Sequence, residues 1–160
     1  MRTVVISILV VALAYTSFAA EQNNTFASKD LGISIEVPIS KESETTVYQV
    51  AMFFLPASDG FAANVNIQRQ KYSESIEAYD KLSASQFKEL KLTVLNHELK
   101  GNEILYEYKG EMQAKTLHGY ARSIKHGEYV YLATATCLDS YWEKQKGELM
   151  KSIDSFKANN

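Results

Sequence analysis

One cysteine, two prolines, seven glycines and three histidines in 160 residues remove several classes of protein at once. The lone Cys137 cannot close an internal disulfide, so stability must come from a packed core. Its apolar surroundings suit a buried, inert thiol better than a nucleophile. His97, His118 and His126 are spread along the chain and, with one cysteine, do not make a zinc site. The glycines fall singly at turn positions, and no Gly-rich phosphate loop occurs. Neither a Gly-x-Ser-x-Gly elbow nor a cysteine with a local base is present. Acid pairs such as Glu36 with Glu42 or Glu107 with Glu111 are expected among 19 acidic residues, and nothing around them suggests tuned acid–base chemistry. No catalytic, metal or cofactor residue is assigned, and the expectation is a protein that is not an enzyme. Charge of one sign is lacking too: 17 basic against 19 acidic side chains leave no basic stripe for nucleic acid or an anionic membrane. The cluster Lys144-Gln145-Lys146 fits a solvated helix face.

What is present begins with MRTVVISILVVALAYTSFAA. One positive charge, Arg2, precedes an apolar run from Val4 to Tyr15, and Ser17-Phe18-Ala19 fits a small-x-small cleavage rule. Residues 1–19 read as a secretory signal peptide, too short and too poorly flanked for a membrane span. No cysteine sits at the junction to carry a lipid. The mature chain then begins near Ala20, with 16 basic against 19 acidic side chains once Arg2 is gone. About 140 residues suffice for one domain that buries roughly two-thirds of its unfolded surface. No second segment of spanning length follows, so the expectation is an exported protein, periplasmic or secreted, with no membrane span in the mature chain. Asn23-Asn24-Thr25 matches the short N-glycosylation sequon. A disulfide-free domain behind a short signal suggests a bacterial envelope protein.

Residues 20–30 read as a disordered polar lead-in. LGISIEVP alternates apolar and polar residues and reads as a half-buried strand stopped by Pro38. VYQVAMFFLP is apolar on both faces, the pattern of a central strand with cover on both sides. Pro56 and Ser58-Asp59-Gly60 mark a turn into NVNIQRQ. Ile76, Tyr79, Leu82, Phe87 and Leu90 form a helical stripe with Ser75 as N-cap. Alternation then returns in LTVLNHEL, ILYEYKGEM, KTLHGYARSIK and EYVYLATATC. Tight hairpins are placed at Gly101-Asn102, Met112-Gln113 and His126-Gly127. Ser140 and Glu143 suggest a capping box opening a last helix, with an inner stripe of Trp142, Gln145, Leu149, Ile153 and Phe156. Three strands, a helix, four strands and a helix make an α+β domain with a largely antiparallel sheet of about six to seven strands. Two-sided apolarity in several strands suggests helices on both faces.

Hairpin arithmetic places side chains. With two-residue turns, Lys125 faces Glu128, Arg122 faces Tyr131, His118 faces Ala135, and His97 faces Tyr106, which lies over Gly119. His97 and His118 then occupy opposite faces and cannot share a metal ion, and His126 sits at a turn tip. Asn64, Asn66, Gln68 and Gln70 fall on one face of one strand. These amides are expected either to face water on an open part of the sheet or to recognise a partner. Tyr106, Tyr108, Tyr120, Tyr129 and Tyr131 crowd the second half of the sheet, where core packing and interface use compete. Arg122 opposite Tyr131 offers a cation–π pair. Asn64, Asn66, Gln68, Gln70, His118, Tyr120, Arg122 and Tyr131 are the candidate partner or ligand surface.

DLGISIEVP, then NVNIQRQ, a helix carrying Phe87, EYVYLATAT and the closing SIDSF together resemble the PsbP-like family, across residues 30–157. Many members carry a tryptophan soon after the first strand's proline, whereas Ile39-Ser40 follows Pro38 here. The resemblance implies a single domain over residues 31–157, built as an αβα sandwich. It also implies an accessory or partner-binding role without catalysis or cofactor, and no family site residue has a match to carry over. The leading expectation is therefore an exported, non-enzymatic module binding a protein of the cell envelope. A small-molecule carrier, with a tyrosine-lined pocket between sheet and helix, is the alternative. A hydrolase comes third.

Overall fold

The computed structural model describes residues 25–29, 32–36, 47–112 and 114–158. The expected signal peptide, the glycosylation asparagine and Pro38 lie outside them. Two short strands, β1 (Thr25–Ser28) and β2 (Ile33–Glu36), pair antiparallel as a separate two-stranded sheet. The strand at Thr25–Ser28 thus occupies part of the stretch read as a polar lead-in. The main sheet has six antiparallel strands in the order β3 (Val47–Phe54), β4 (Asn64–Lys71), β8 (Tyr129–Leu138), β7 (Lys115–His126), β6 (Glu103–Met112) and β5 (Thr93–Lys100). Helix α1 (Ile76–Glu89) follows β4. Helix α2 (Trp142–Asp154) follows β8 through a 3₁₀ turn at Asp139–Tyr141. The α+β class and the antiparallel sheet agree with the sequence.

Each helix buries its stripe on a different face of the sheet. Ile76, Tyr79 and Phe87 of α1 meet Ile104, Tyr106, Tyr108, Ala121, Val130 and Leu132. Trp142, Leu149 and Ile153 of α2 meet Tyr120, Ala133, Ala135 and Cys137, residues of the opposite parity on the same strands. Ser75 caps α1, its hydroxyl accepting from the Ala78 N–H at 3.3 Å. The helix ends in a Schellman-type turn. Lys91 adopts φ 55°, and the Leu92 and Lys91 N–H groups donate to the Phe87 and Lys88 carbonyls. Leu90 therefore leaves the expected stripe and is exposed.

Three expectations need correction. First, β3 is an edge strand, not a central one: among the described residues it pairs only with β4. Apolarity on both faces reflects exposure here rather than double cover. Second, two hairpins turn one residue later than expected. Gly127 takes φ 56° and His126 pairs with Tyr129, while Met112 pairs with Lys115 around Ala114 at φ 61°. Lys125 therefore faces Val130, His118 faces Cys137 and Arg122 faces Ala133; His126 closes β7 rather than tipping the turn. The pairing moves by two residues, which leaves every side chain on its expected face. Third, Ser140 lies inside the 3₁₀ turn, and α2 begins after Tyr141 with no side-chain cap, so the capping box does not form.

The same shift changes which tyrosine covers Gly119. Tyr108, not Tyr106, pairs with it, and a Cβ there would lie 2.4 Å from Tyr108 Cζ. Tyr108 is fully buried and cannot swing away. Gly119→Ala is expected to cost about 1–3 kcal/mol by overpacking, read from the urea unfolding midpoint. Among the described residues the Tyr108 hydroxyl has no hydrogen-bond partner. Tyr108→Phe in the Gly119→Ala background should recover part of that loss, because it removes a buried, unpaired hydroxyl.

Candidate functional site

On the α2 face of β7, His118, Tyr120 and Arg122 follow one another at every second residue. The structure gives all three to α2. The His118 ring is sealed beneath Trp142, stacked at 3.9 Å between centroids and 11° between planes. Its Nε2 lies 2.9 Å from Glu107 Oε1 and its Nδ1 2.9 Å from Asp139 Oδ1. Both nitrogens thus face carboxylates. The bond to His118, helped by Lys109 Nζ at 3.4 Å, holds the Asp139 carboxyl below its ordinary range. At the other end of α2, the Tyr120 hydroxyl donates to Asp154 Oδ1 at 3.1 Å. Arg122 Nη1 donates to the carbonyls of Asp154 and Phe156, while Nη2 and Nε bind Glu103 Oε2. A guanidinium against the last carbonyls of a helix complements both their unpaired lone pairs and the negative end of the helix dipole.

This row is chemically full. An imidazole engaged at both nitrogens and stacked on an indole has no free lone pair for a substrate or metal. Among the described residues no group of three or more His, Cys, Asp or Glu side chains could hold a metal ion.

Titration of the surrounding groups has a sign. Burial, with the Asp139 charge, pushes the Cys137 thiol up to about 11. Burial, with Asp154, pushes the Tyr120 phenol up to about 12. The native state holds both protons more tightly than the unfolded chain does, so this contribution is fully present below pH 9 and lost as pH rises through these values. Stability should fall between pH 9 and 12, and Cys137→Ala should flatten the part between 9 and 11. Urea midpoints across that range check this.

On the α1 face, His97 stacks on Tyr106 at 4.4 Å, and both bind Asp80 Oδ1, at 2.8 and 2.7 Å. The two histidines therefore lie on opposite faces, as the alternation requires. Tyr131 is half-buried and pairs with Arg69. The cation–π contact expected of Arg122 with Tyr131 is instead Arg69 over the Tyr129 ring at 4.7 Å.

The amide row also lies on the α1 face, but it is not open. Asn66, Gln68 and Gln70 are 6%, 7% and 5% exposed, and Asn64 is half-buried. Gln49 of β3 ties the row together, donating to Asn66 Oδ1 at 2.8 Å and accepting from Gln68 Nε2 at 3.2 Å. Asn64 donates to the Ala62 carbonyl. Gln70 Nε2 is buried without a partner among the described residues. Asn66 and Gln68 are buried and joined through Gln49, which replaces the expected wet face.

The exposed surface that sequence reasoning missed is β3 itself. Val50, Met52, Phe53 and Phe54 are 56%, 37%, 61% and 63% exposed on one edge. Phe53 pairs with Val65 toward the α2 face, while Met52 and Phe54 pair with Asn66 and Asn64 toward the α1 face. Val50 sits at a bulge, which leaves Ala51–Phe54 as an unbroken apolar stretch. The other edge, β5, also exposes Val94, Leu95 and Leu99, but it carries His97, Glu98 and Lys100 and a bulge at Leu95. Beneath α2 the space is filled by Trp142, Leu149 and Ile153. A shallow, open depression lies beside it, lined by Ser58, Phe61, Ala63, Leu138, Tyr141 and Gln145.

No protein-family model matches the chain, and no curated protein is similar to it in sequence. Solved structures do match. Protein PA94 of Pseudomonas aeruginosa, of unknown function, is 12% identical and aligns at a TM-score of 0.55, covering 85% of this chain and 96% of its own. The two chains share a fold. A cyanobacterial PsbP from Synechocystis is 10% identical at a TM-score of 0.48, covering 90% of this chain and 98% of its own. LpqN of Mycobacterium tuberculosis, involved in cell envelope biogenesis, is 10% identical at a TM-score of 0.42, covering 69% and 79%. At these identities the likeness concerns fold alone. Among the described residues no helix is long and apolar enough to cross a membrane.

Proposed function

We propose that this protein is an exported, non-enzymatic accessory module that binds another polypeptide along the edge of β3 that has no strand partner among the described residues. The observation that carries the reading is an uncharged edge strand exposing Val50, Met52, Phe53 and Phe54. Natural sheets usually blunt such an edge with charge or cover, because its unpaired N–H and C=O groups invite another strand. A strand that keeps these groups and its apolar side chains open is suited to β-augmentation, in which main-chain hydrogen bonds supply affinity and side chains specificity. A role without catalysis is supported by the chemistry of the polar clusters: His118, Tyr120 and Arg122 are consumed in holding α2. Export rests on the apolar run from Val4 to Tyr15.

The test is a photo-cross-linker, Phe53→p-benzoylphenylalanine, in the producing cells. The expected result is a discrete adduct of polypeptide mass at residue 53, absent when the same group replaces Glu98 on the opposite edge. Equal labelling at both positions, or none at 53, would overturn the reading.

A further inference from the structure

We infer that the Glu107–His118–Asp139 chain is a proton-operated latch, which holds the start of α2 on the sheet and releases it when one proton leaves. It operates independently of the β3 edge. Both ring nitrogens of His118 lie 2.9 Å from a carboxylate oxygen. Each such contact needs one hydrogen between nitrogen and oxygen, and a neutral imidazole brings only one. With both contacts closed, the ring and the two carboxyl groups therefore carry two protons between them. Removal of one leaves a bare nitrogen lone pair facing a carboxylate oxygen. The ring is sealed beneath Trp142 and cannot turn away from that repulsion. The proton belongs to the coupled chain rather than to any one member.

The neighbours decide which contact opens. Glu107 stands in the middle of β6, held by ladder pairs with Asn96 on one side and Tyr120 on the other. Asp139 belongs to the 3₁₀ turn that leads into α2, and its side chain is 31% exposed. Lys109 Nζ lies 3.4 Å from its other oxygen and stays as a partner for the carboxylate once it leaves. Of the other titratable neighbours, Cys137 pairs with His118 across the ladder, the Tyr120 hydroxyl is given to Asp154, and Glu143 of α2 is engaged by Lys146. The two carboxylates are thus the groups that bond the ring. Trp142 lies flat on it just beyond the turn, so movement of Asp139 lifts the indole and opens the depression at Leu138 and Tyr141.

Trp142 is the one tryptophan of the chain, so its emission reads the latch directly. The experiment is a pH titration of that emission on the protein as its host accumulates it, over the range in which far-ultraviolet circular dichroism is constant. The expected result is one reversible, one-proton step. As pH rises the emission brightens, because a protonated imidazole stacked on an indole quenches it, and it shifts to the red as the indole meets water. Cys137→Ala leaves the step in place. Asp139→Asn keeps the brightening but loses the red shift, because an amide can accept from a protonated nitrogen or turn and donate to a bare one. His118→Phe keeps a ring against Trp142 but carries no proton, and loses both. Should His118→Phe not fold, Asp139→Asn alone decides. A parent without a step, a step that survives His118→Phe or vanishes in Cys137→Ala, or a red shift unchanged in Asp139→Asn each overturns the inference.

Discussion

Trp142→Ala is expected to cost about 3–5 kcal/mol, the range for truncating a buried large aromatic. Trp142 is the first residue of α2, is nearly sealed from solvent, and covers His118 by stacking. Its removal uncovers the Glu107–His118–Asp139 chain to water and loosens the start of the helix together. The ion pairs are not the main part of this loss. Glu107 and Asp139 are 24% and 31% exposed at their side chains, so solvent screens what they contribute. Burial of the indole dominates. Trp142→Phe should therefore retain more stability than Trp142→Ala, and His118→Ala should cost less than either partner's geometry alone suggests. Urea unfolding curves of the three variants order them directly. A loss for Trp142→Ala below about 1 kcal/mol would mean that α2 is not held by this contact.

Asn66→Arg is expected to be the other severe change. The residue is second from the edge, buried, and bonded to Gln49. A guanidinium there takes a charge into the interior of the α1 face, beside Thr134 and Met52 in the same row, with no carboxylate across the strand pairs. The cost is about 3 kcal/mol or more, from desolvation and the broken amide chain together. Asn66→Asp should also destabilise, since the Asp carboxylate keeps the acceptor but takes its charge into the same site. A melt unchanged in Asn66→Arg would show that the amide face is open to water after all.

These two sites show how far the sequence carried. Alternation placed His97 and His118 on opposite faces, and it kept them there although two hairpins turn a residue later than Gly101-style arithmetic suggested. A shift of two residues in pairing cannot flip a face. The tyrosine covering Gly119 was misplaced for the same reason, because naming a neighbour needs the register itself. The helix stripes of Tyr79 and Phe87, and of Trp142, Leu149 and Ile153, follow from their spacing, since each is buried on one side only. The role of β3 was not legible. VYQVAMFF has the same two-sided apolarity whether a strand is buried in the middle of a sheet or left bare at its edge. Only the order of strands distinguishes the two. Nor could alternation show that the amides of β4 are closed off, because Gln49, their bonding partner, comes from across the pairing with β3. The polar row of β7 was found, but its use was hidden: α2 follows in sequence only after β8, and nothing local says that its two ends land on His118 and Arg122.

Native mass spectrometry of the protein, purified gently from its own source, reads whether β3 is a binding edge. The expected result is a complex heavier than the single chain by the mass of a polypeptide, lost on Phe53→Lys while the folded monomer remains. A bare single chain, or an adduct of small-molecule mass that Phe53→Lys leaves in place, would contradict it.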